Sequence, residues 1–124
     1  METLSDYTIN ELIIPGHKLT KLPDDMHLYT NIKYISCYEN KITNCDILPP
    51  NLENFYCGDN KIIQLDNLPH SLVYLFCFDN QITQLNNLPP TLEKLDCKKN
   101  PLQYEFYPSL QNIRKHIASL SNPI

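Results

Sequence analysis

A phrase of eleven residues returns every 20 positions along the chain. It runs Ile32–Ile42, Leu52–Ile62, Leu72–Ile82 and Leu92–Leu102 on the pattern L-x-x-L-x-C-x-x-N-x-I. Cys37, Cys57, Cys77 and Cys97 fall in step, and so do Asn40, Asn60, Asn80 and Asn100. A fixed period of this length marks units that cannot bury an apolar face alone and must stack on their neighbours. A degenerate copy opens at Ile9, with Leu12, Ile14, Leu19 and Leu22 in place and His17 at the Asn position. It is three residues longer than the others, and Pro23-Asp24-Asp25-Met26-His27 absorbs the excess.

Counting each copy from its first residue, slots 1, 4, 6 and 11 are apolar. Slot 14 is apolar too, in Leu22, Cys45, Leu65 and Leu85, and slot 17 holds Leu48, Leu68 and Leu88, each followed by Pro. Slots 3 to 7 alternate as a strand does, so slots 4 and 6 point inward while 3, 5 and 7 point outward. The expectation is five short parallel strands, one per repeat. Slot 9 Asn stands where the chain leaves the strand and is expected to bond backbone groups of the turn and of the next repeat. The Leu-Pro step fixes φ and removes an N–H, so the return side should be extended or polyproline-like, without a helix.

After Asn100 the phrase breaks. Residues 108–120 put Leu110, Ile113, Ile117 and Leu120 on one helical stripe, opened by Pro108 or Ser109. A helix within 107–120 is expected to cap the last repeat. Residues 1–8 form the other cap, and the whole of 1–124 reads as one domain with repeats starting near 9, 32, 52, 72 and 92.

Composition excludes several functions. The net charge of −4 lacks the basic face that phosphate binding requires, so no nucleic acid is expected. No apolar run reaches the roughly 20 residues of a membrane span, and the acidic start Met1-Glu2-Thr3-Leu4-Ser5-Asp6 has no signal-peptide character. A cytoplasmic location without membrane attachment is expected. Abundant Asn, Ile, Lys and Tyr, with nine Lys against one Arg, are the amino acids of A/T-rich codons. They point to the genome of a parasite, symbiont or virus, for which the location would be the host cytoplasm.

The phrase is that of the leucine-rich repeat, with Cys in the third apolar slot. Leu88-Pro89-Pro90-Thr91-Leu92-Glu93-Lys94-Leu95-Asp96-Cys97-Lys98-Lys99-Asn100 resembles the short, 20-residue leucine-rich repeats of bacterial effector proteins, and the likeness covers residues 9–102. The resemblance implies an α/β-type repeat solenoid: a right-handed superhelix of about five repeats with short parallel strands on its concave face and a capping helix at its C-terminus. It also implies protein binding on the concave face and no catalysis.

The five cysteines all occupy apolar slots, and no two are closer than eight positions. Paired zinc ligands of the C-x₂-C kind are missing, so the thiols read as small buried apolar groups, reduced and unliganded. His17, His27, His70 and His116 share no spacing with one another or with a nucleophile. No catalytic residue, metal or cofactor is expected. The informative positions are the outward ones. Tyr34, Tyr38, Tyr56, Tyr74, Phe76 and Phe78 place six of the chain's twelve aromatics on one face. Rings of this kind can simply ladder across strands, but a contiguous apolar patch usually marks a binding site. Glu39, Asp59 and Asp79 form an acidic column beside them at slot 8, and Lys94 and Lys98 add positive charge in the last repeat. The face is therefore expected to bind a protein or peptide. Self-association into a dimer or scaffold, through the same face or an open end, is the competing expectation.

Overall fold

A computed structural model describes residues 6–16 and 18–120. Residues 1–5, which belong to the expected N-terminal cap, and His17 lie outside the described residues. The chain is a repeat solenoid. Five three-residue strands, β1 (Glu11–Ile13), β2 (Tyr34–Ser36), β3 (Asn54–Tyr56), β4 (Tyr74–Phe76) and β5 (Lys94–Asp96), form one parallel sheet in chain order. The register holds the slots in line: Glu11, Tyr34, Asn54, Tyr74 and Lys94 are successive partners. Among the described residues the return side carries no helix or strand except a 3₁₀ turn at Met26–Leu28, within the elongated first repeat. There the extra length folds inward, and Met26 and Tyr29 are fully buried.

The core is the stack of inward slots. Ile35, Phe55 and Leu75 from slot 4 are completely buried, with Cys37, Cys57 and Cys77 from slot 6 and Ile42, Ile62 and Ile82 from slot 11. Slot 14 closes it with Leu22, Cys45, Leu65 and Leu85. All five thiols are free and buried. Burial pushes the Cys37 thiol up to about 12 from an ordinary value of 9.0, and the thiols of Cys45, Cys57 and Cys77 are raised for the same reason.

Slot 9 binds the repeats together, and it reaches backward. The Asn60 amide donates to the carbonyls of Cys57 and Gly58 in its own turn, and to that of Cys37 in the repeat before. Its Oδ1 accepts from the N–H of Ile42, 18 residues upstream. Asn80 repeats the set on Cys77, Phe78, Cys57 and Ile62, and Asn100 on Cys97, Lys98, Cys77 and Ile82. The expected bond to the next repeat is thus corrected: each Asn serves the preceding one. The cause lies in the residue before it. Glu39, Asp59, Asp79 and Lys99 at slot 8 all have φ between 54 and 58°, and Gly16 has 68°. This left-handed residue reverses the chain. L-residues seldom adopt it, and Gly, Asn and Asp do so most readily.

A second ladder runs along the other end of the strands. The hydroxyl of Ser71 donates to Leu52 O, and that of Thr91 to Leu72 O. The last repeat has no successor to supply this bond, and helix α1 (Leu110–Leu120) supplies it instead. Arg114, the chain's one Arg, donates to the carbonyl of Leu92 and to those of Pro89 and Pro90. Ser109 caps the helix by accepting from the N–H of Asn112 at 3.1 Å. Ile113 is fully buried, and Leu110 and Ile117 pack beside it. Leu120 does not belong to the stripe as expected: it is exposed in the last turn, beyond the end of the core.

Two outcomes are expected. Asn80→Ala leaves the buried N–H of Ile62 without its acceptor and removes one of the two side-chain donors on each of the Cys57 and Cys77 carbonyls, so urea unfolding should show a loss of about 1–3 kcal/mol. An unchanged midpoint would contradict the ladder. The raised thiols give a pH dependence. Between 9.0 and about 12 the unfolded chain releases protons that folded Cys37 retains. Stability is therefore whole below pH 9 and falls above it, by about 1.4 kcal/mol per pH unit for each thiol held neutral. Urea titrations from about pH 7 to pH 11 check this, and a flat profile would contradict it.

Candidate protein-binding face

Strand alternation turns Tyr34, Tyr56, Tyr74, Phe76 and Lys94 away from the core. The rings pack on one another across the strands. Tyr34 meets Tyr56 with centroids 5.2 Å apart, and Tyr56 stacks on Phe76 at 4.5 Å with planes 4° apart. Tyr56 and Phe76 are register partners at slot 5, and Tyr34 reaches Tyr56 diagonally from slot 3 of β2, where the slot 5 residue is the small, buried Ser36. The Lys94 ammonium lies over the Tyr74 ring, 5.7 Å from its centroid. The face is thus a continuous aromatic platform, half-buried through its own packing and open on its outer side.

Slot 7 adds a second row: Tyr38, Gly58, Phe78 and Lys98. Phe78 does not project freely into solvent. It lies flat on Gly58, where a Cβ would stand 2.4 Å from its Cζ and 2.6 Å from both Cε atoms. Gly58 has an ordinary φ, so this glycine is required by the approach of the ring and not by the backbone. Tyr38 stands at the far side, 40% exposed. A groove of about 400 Å³ opens here, lined by Tyr38, Phe78, the side chains of Glu39, Asp59 and Asp79, and Asp96, Lys98 and Lys99. The three carboxylates of slot 8 are exposed and follow from the left-handed turn, which swings each side chain out beside the sheet. Asp96 turns its carboxylate back to accept from the Lys98 N–H.

The structure therefore brings all eleven expected site residues to one side of the sheet. Tyr34, Tyr56, Tyr74 and Phe76 share the platform, and Tyr38, Glu39, Asp59, Phe78, Asp79 and Lys98 border the groove beside it. Lys94 edges the platform on β5. The support given by Gly58 to Phe78 is not visible in the sequence, where Gly58 looks like a gap in the aromatic row. His116, outside this face, packs against Tyr104 and Phe106 near the C-terminal end. Among the described residues no three His, Cys, Asp or Glu side chains converge in a metal-binding group, and no helix is long and apolar enough to cross a membrane.

No family model matches the chain, and no curated protein matches it.

The Gly58–Phe78 pair can be tested by a double-mutant cycle. Gly58→Ala must lift the Phe78 ring and should cost about 1–2 kcal/mol in chemical unfolding. In a Phe78→Ala background the same change should cost close to nothing. Equal costs in both backgrounds would mean that the ring does not rest on the glycine.

Proposed function

We propose that this chain is a non-catalytic leucine-rich-repeat module that binds a protein or peptide on its aromatic sheet face, in the cytoplasm. One observation carries the reading. A sheet turned to solvent can cover its pleats with Thr, Val or Lys stems, yet here Tyr34, Tyr56 and Phe76 form a stacked platform bordered by Tyr74, Phe78 and Tyr38. Aromatic side chains dominate the energetics of interfaces, and anchors of this kind sit centrally within a polar rim. Glu39, Asp59 and Asp79 supply that rim beside the groove, with Lys94 and Lys98 at the end of the sheet. Two further features support the absence of catalysis and the compartment. The nucleophilic thiols are buried and held neutral, which opposes thiolate chemistry. Five unpaired thiols in one domain suit a reducing environment.

The platform gives each ring an outer surface that a partner can desolvate, worth about 1.5–3 kcal/mol for a fully buried side chain. Phe76→Ala combined with Phe78→Ala should leave the fold intact and weaken binding at least tenfold, or about 1.4 kcal/mol. Asn67→Ala and Asn87→Ala, on the return side, should bind as the parent does. The experiment is capture from a proteome with the parent and each variant, followed by titration calorimetry on the captured protein. Normal binding by the sheet-face variant with loss in the return-side variants would place the interface on the wrong side. Sedimentation at rising concentration separates partner binding from self-association: a dimer that the Phe76/Phe78 variant abolishes would make a second copy the occupant of the face.

A further inference from the structure

The solenoid ends on an unfinished strand edge. In this sheet the N–H groups of slots 2 and 3 donate to the strand before, and those of slots 6 and 8 to the strand after. Thus Cys37 and Glu39 donate to Tyr56 and Gly58, Cys57 and Asp59 to Phe76 and Phe78, and Cys77 and Asp79 to Asp96 and Lys98. The N–H of slot 11 is received by the next Asn, as in Ile42 to Asn60 and Ile82 to Asn100. For the last repeat the corresponding donors are the N–H groups of Leu95, Cys97, Lys99 and Leu102. Among the described residues the N–H groups of Cys97, Lys99 and Leu102 donate to nothing, and strand alternation turns the N–H of Leu95 to the same open edge. Backbone donors of this kind are seldom left unpaired within a fold.

Space is kept open beside them. A groove of about 630 Å³ runs along Leu95–Asn100 and is closed on its far side by residues 107–110. The connecting segment follows the edge without pairing to it: its one bond across is from the Cys97 thiol to Pro108 O. Helix α1 seals the start of the repeat through Arg114 and the core end through Ile113, and meets this strip only with its first residue, Leu110. At the opposite end of the sheet slot 7 of the first repeat is Pro15, which brings no N–H, while Asn10 and Glu11 have no preceding strand to donate to.

We infer that this edge is a docking site for one extended strand of a partner protein, added in parallel to β5. The occupant is identified by what the same edge holds inside the chain. The equivalent edges of β2, β3 and β4 each carry a segment with apolar residues at alternate positions and an Asn three residues after the second of them. A partner strand of that pattern places its apolar side chains over Leu95 and Cys97 and its Asn against the N–H of Leu102. A further copy of this chain does not fit, because α1 already occupies the rest of the end. This site is separate from the aromatic face and does not depend on it.

The probe is a capped peptide of residues 53–60 carrying Cys57→Val, the phrase that β3 lays on β2. It is titrated into ¹⁵N-labelled full-length protein. The amides of Leu95, Cys97, Lys99 and Leu102 should shift and gain protection from hydrogen exchange. N-methylation of the peptide at Asn54 and Tyr56, whose N–H groups face β5, should weaken binding at least tenfold. N-methylation at Phe55 and at position 57, whose N–H groups face away, should leave it within about twofold. Unmoved amides at millimolar peptide, or equal loss from both methylation patterns, would overturn the inference. So would sedimentation showing the protein to be a dimer whose formation the peptide blocks, which would give the edge to a second copy.

Discussion

The asparagine at slot 9 is the interaction on which the rest of the structure depends. A chain that leaves a three-residue strand and reverses exposes carbonyls and amides that no sheet can reach. One primary amide satisfies several of them at once, donating to two carbonyls of its own turn and one of the preceding repeat and accepting from that repeat's slot 11 N–H. Asn60 and Asn80 do this while nearly fully buried, where an unpaired polar group costs most. The bond works only if the side chain points into the solenoid, and the left-handed residue before it provides the turn that aims it there.

The exposed surface inherits its layout from this turn. Each strand ends where the reversal begins, so slots 3, 5 and 7 lie in straight rows across the sheet and slot 8 lies in a row beside them. Aromatics on successive strands are therefore held at stacking distance without any dedicated scaffold, as Tyr56 and Phe76 are at 4.5 Å. The carboxylates of Glu39, Asp59 and Asp79 stay in solvent because their backbones are committed to the turn. Slot 7 departs from the regular pattern at Gly58, and that departure lets a neighbouring ring lie down.

Most of the fold was legible because it is periodic. The strand positions, the inward slots, the buried thiols and the capping helix all follow from residues that recur at 20 or from one helical stripe. What escaped was orientation and what occurs once. A period shows that Asn40, Asn60, Asn80 and Asn100 do the same thing, but not whether they reach forward or back. Slot 8 holds Gly, Glu, Asp, Asp and Lys, a mixture in which a shared positive φ is hard to see even though Gly16, Asp59 and Asp79 hint at it. Arg114 on the last carbonyls and Tyr104, which donates to Asn86 and accepts from Leu85, belong to the end of the solenoid and have no counterpart elsewhere. Of the candidate site, the sequence showed which side chains share a face; the overlap of Phe78 with Gly58 depends on a rotamer, which no spacing records.

The backward reach of the asparagines also sets how the chain can fold. Among the described residues every bond they make between repeats joins residues 18 to 26 apart, wherever in the solenoid it lies. Each repeat therefore closes a loop of the same modest length, and the entropy lost per loop does not grow as the stack lengthens. A nucleus of two adjacent repeats presents a finished edge to the next, and structure spreads along the chain by equal steps without a search for distant partners. Additional repeats would lengthen the process in proportion to their number, while the barrier to starting it would remain that of a single pair.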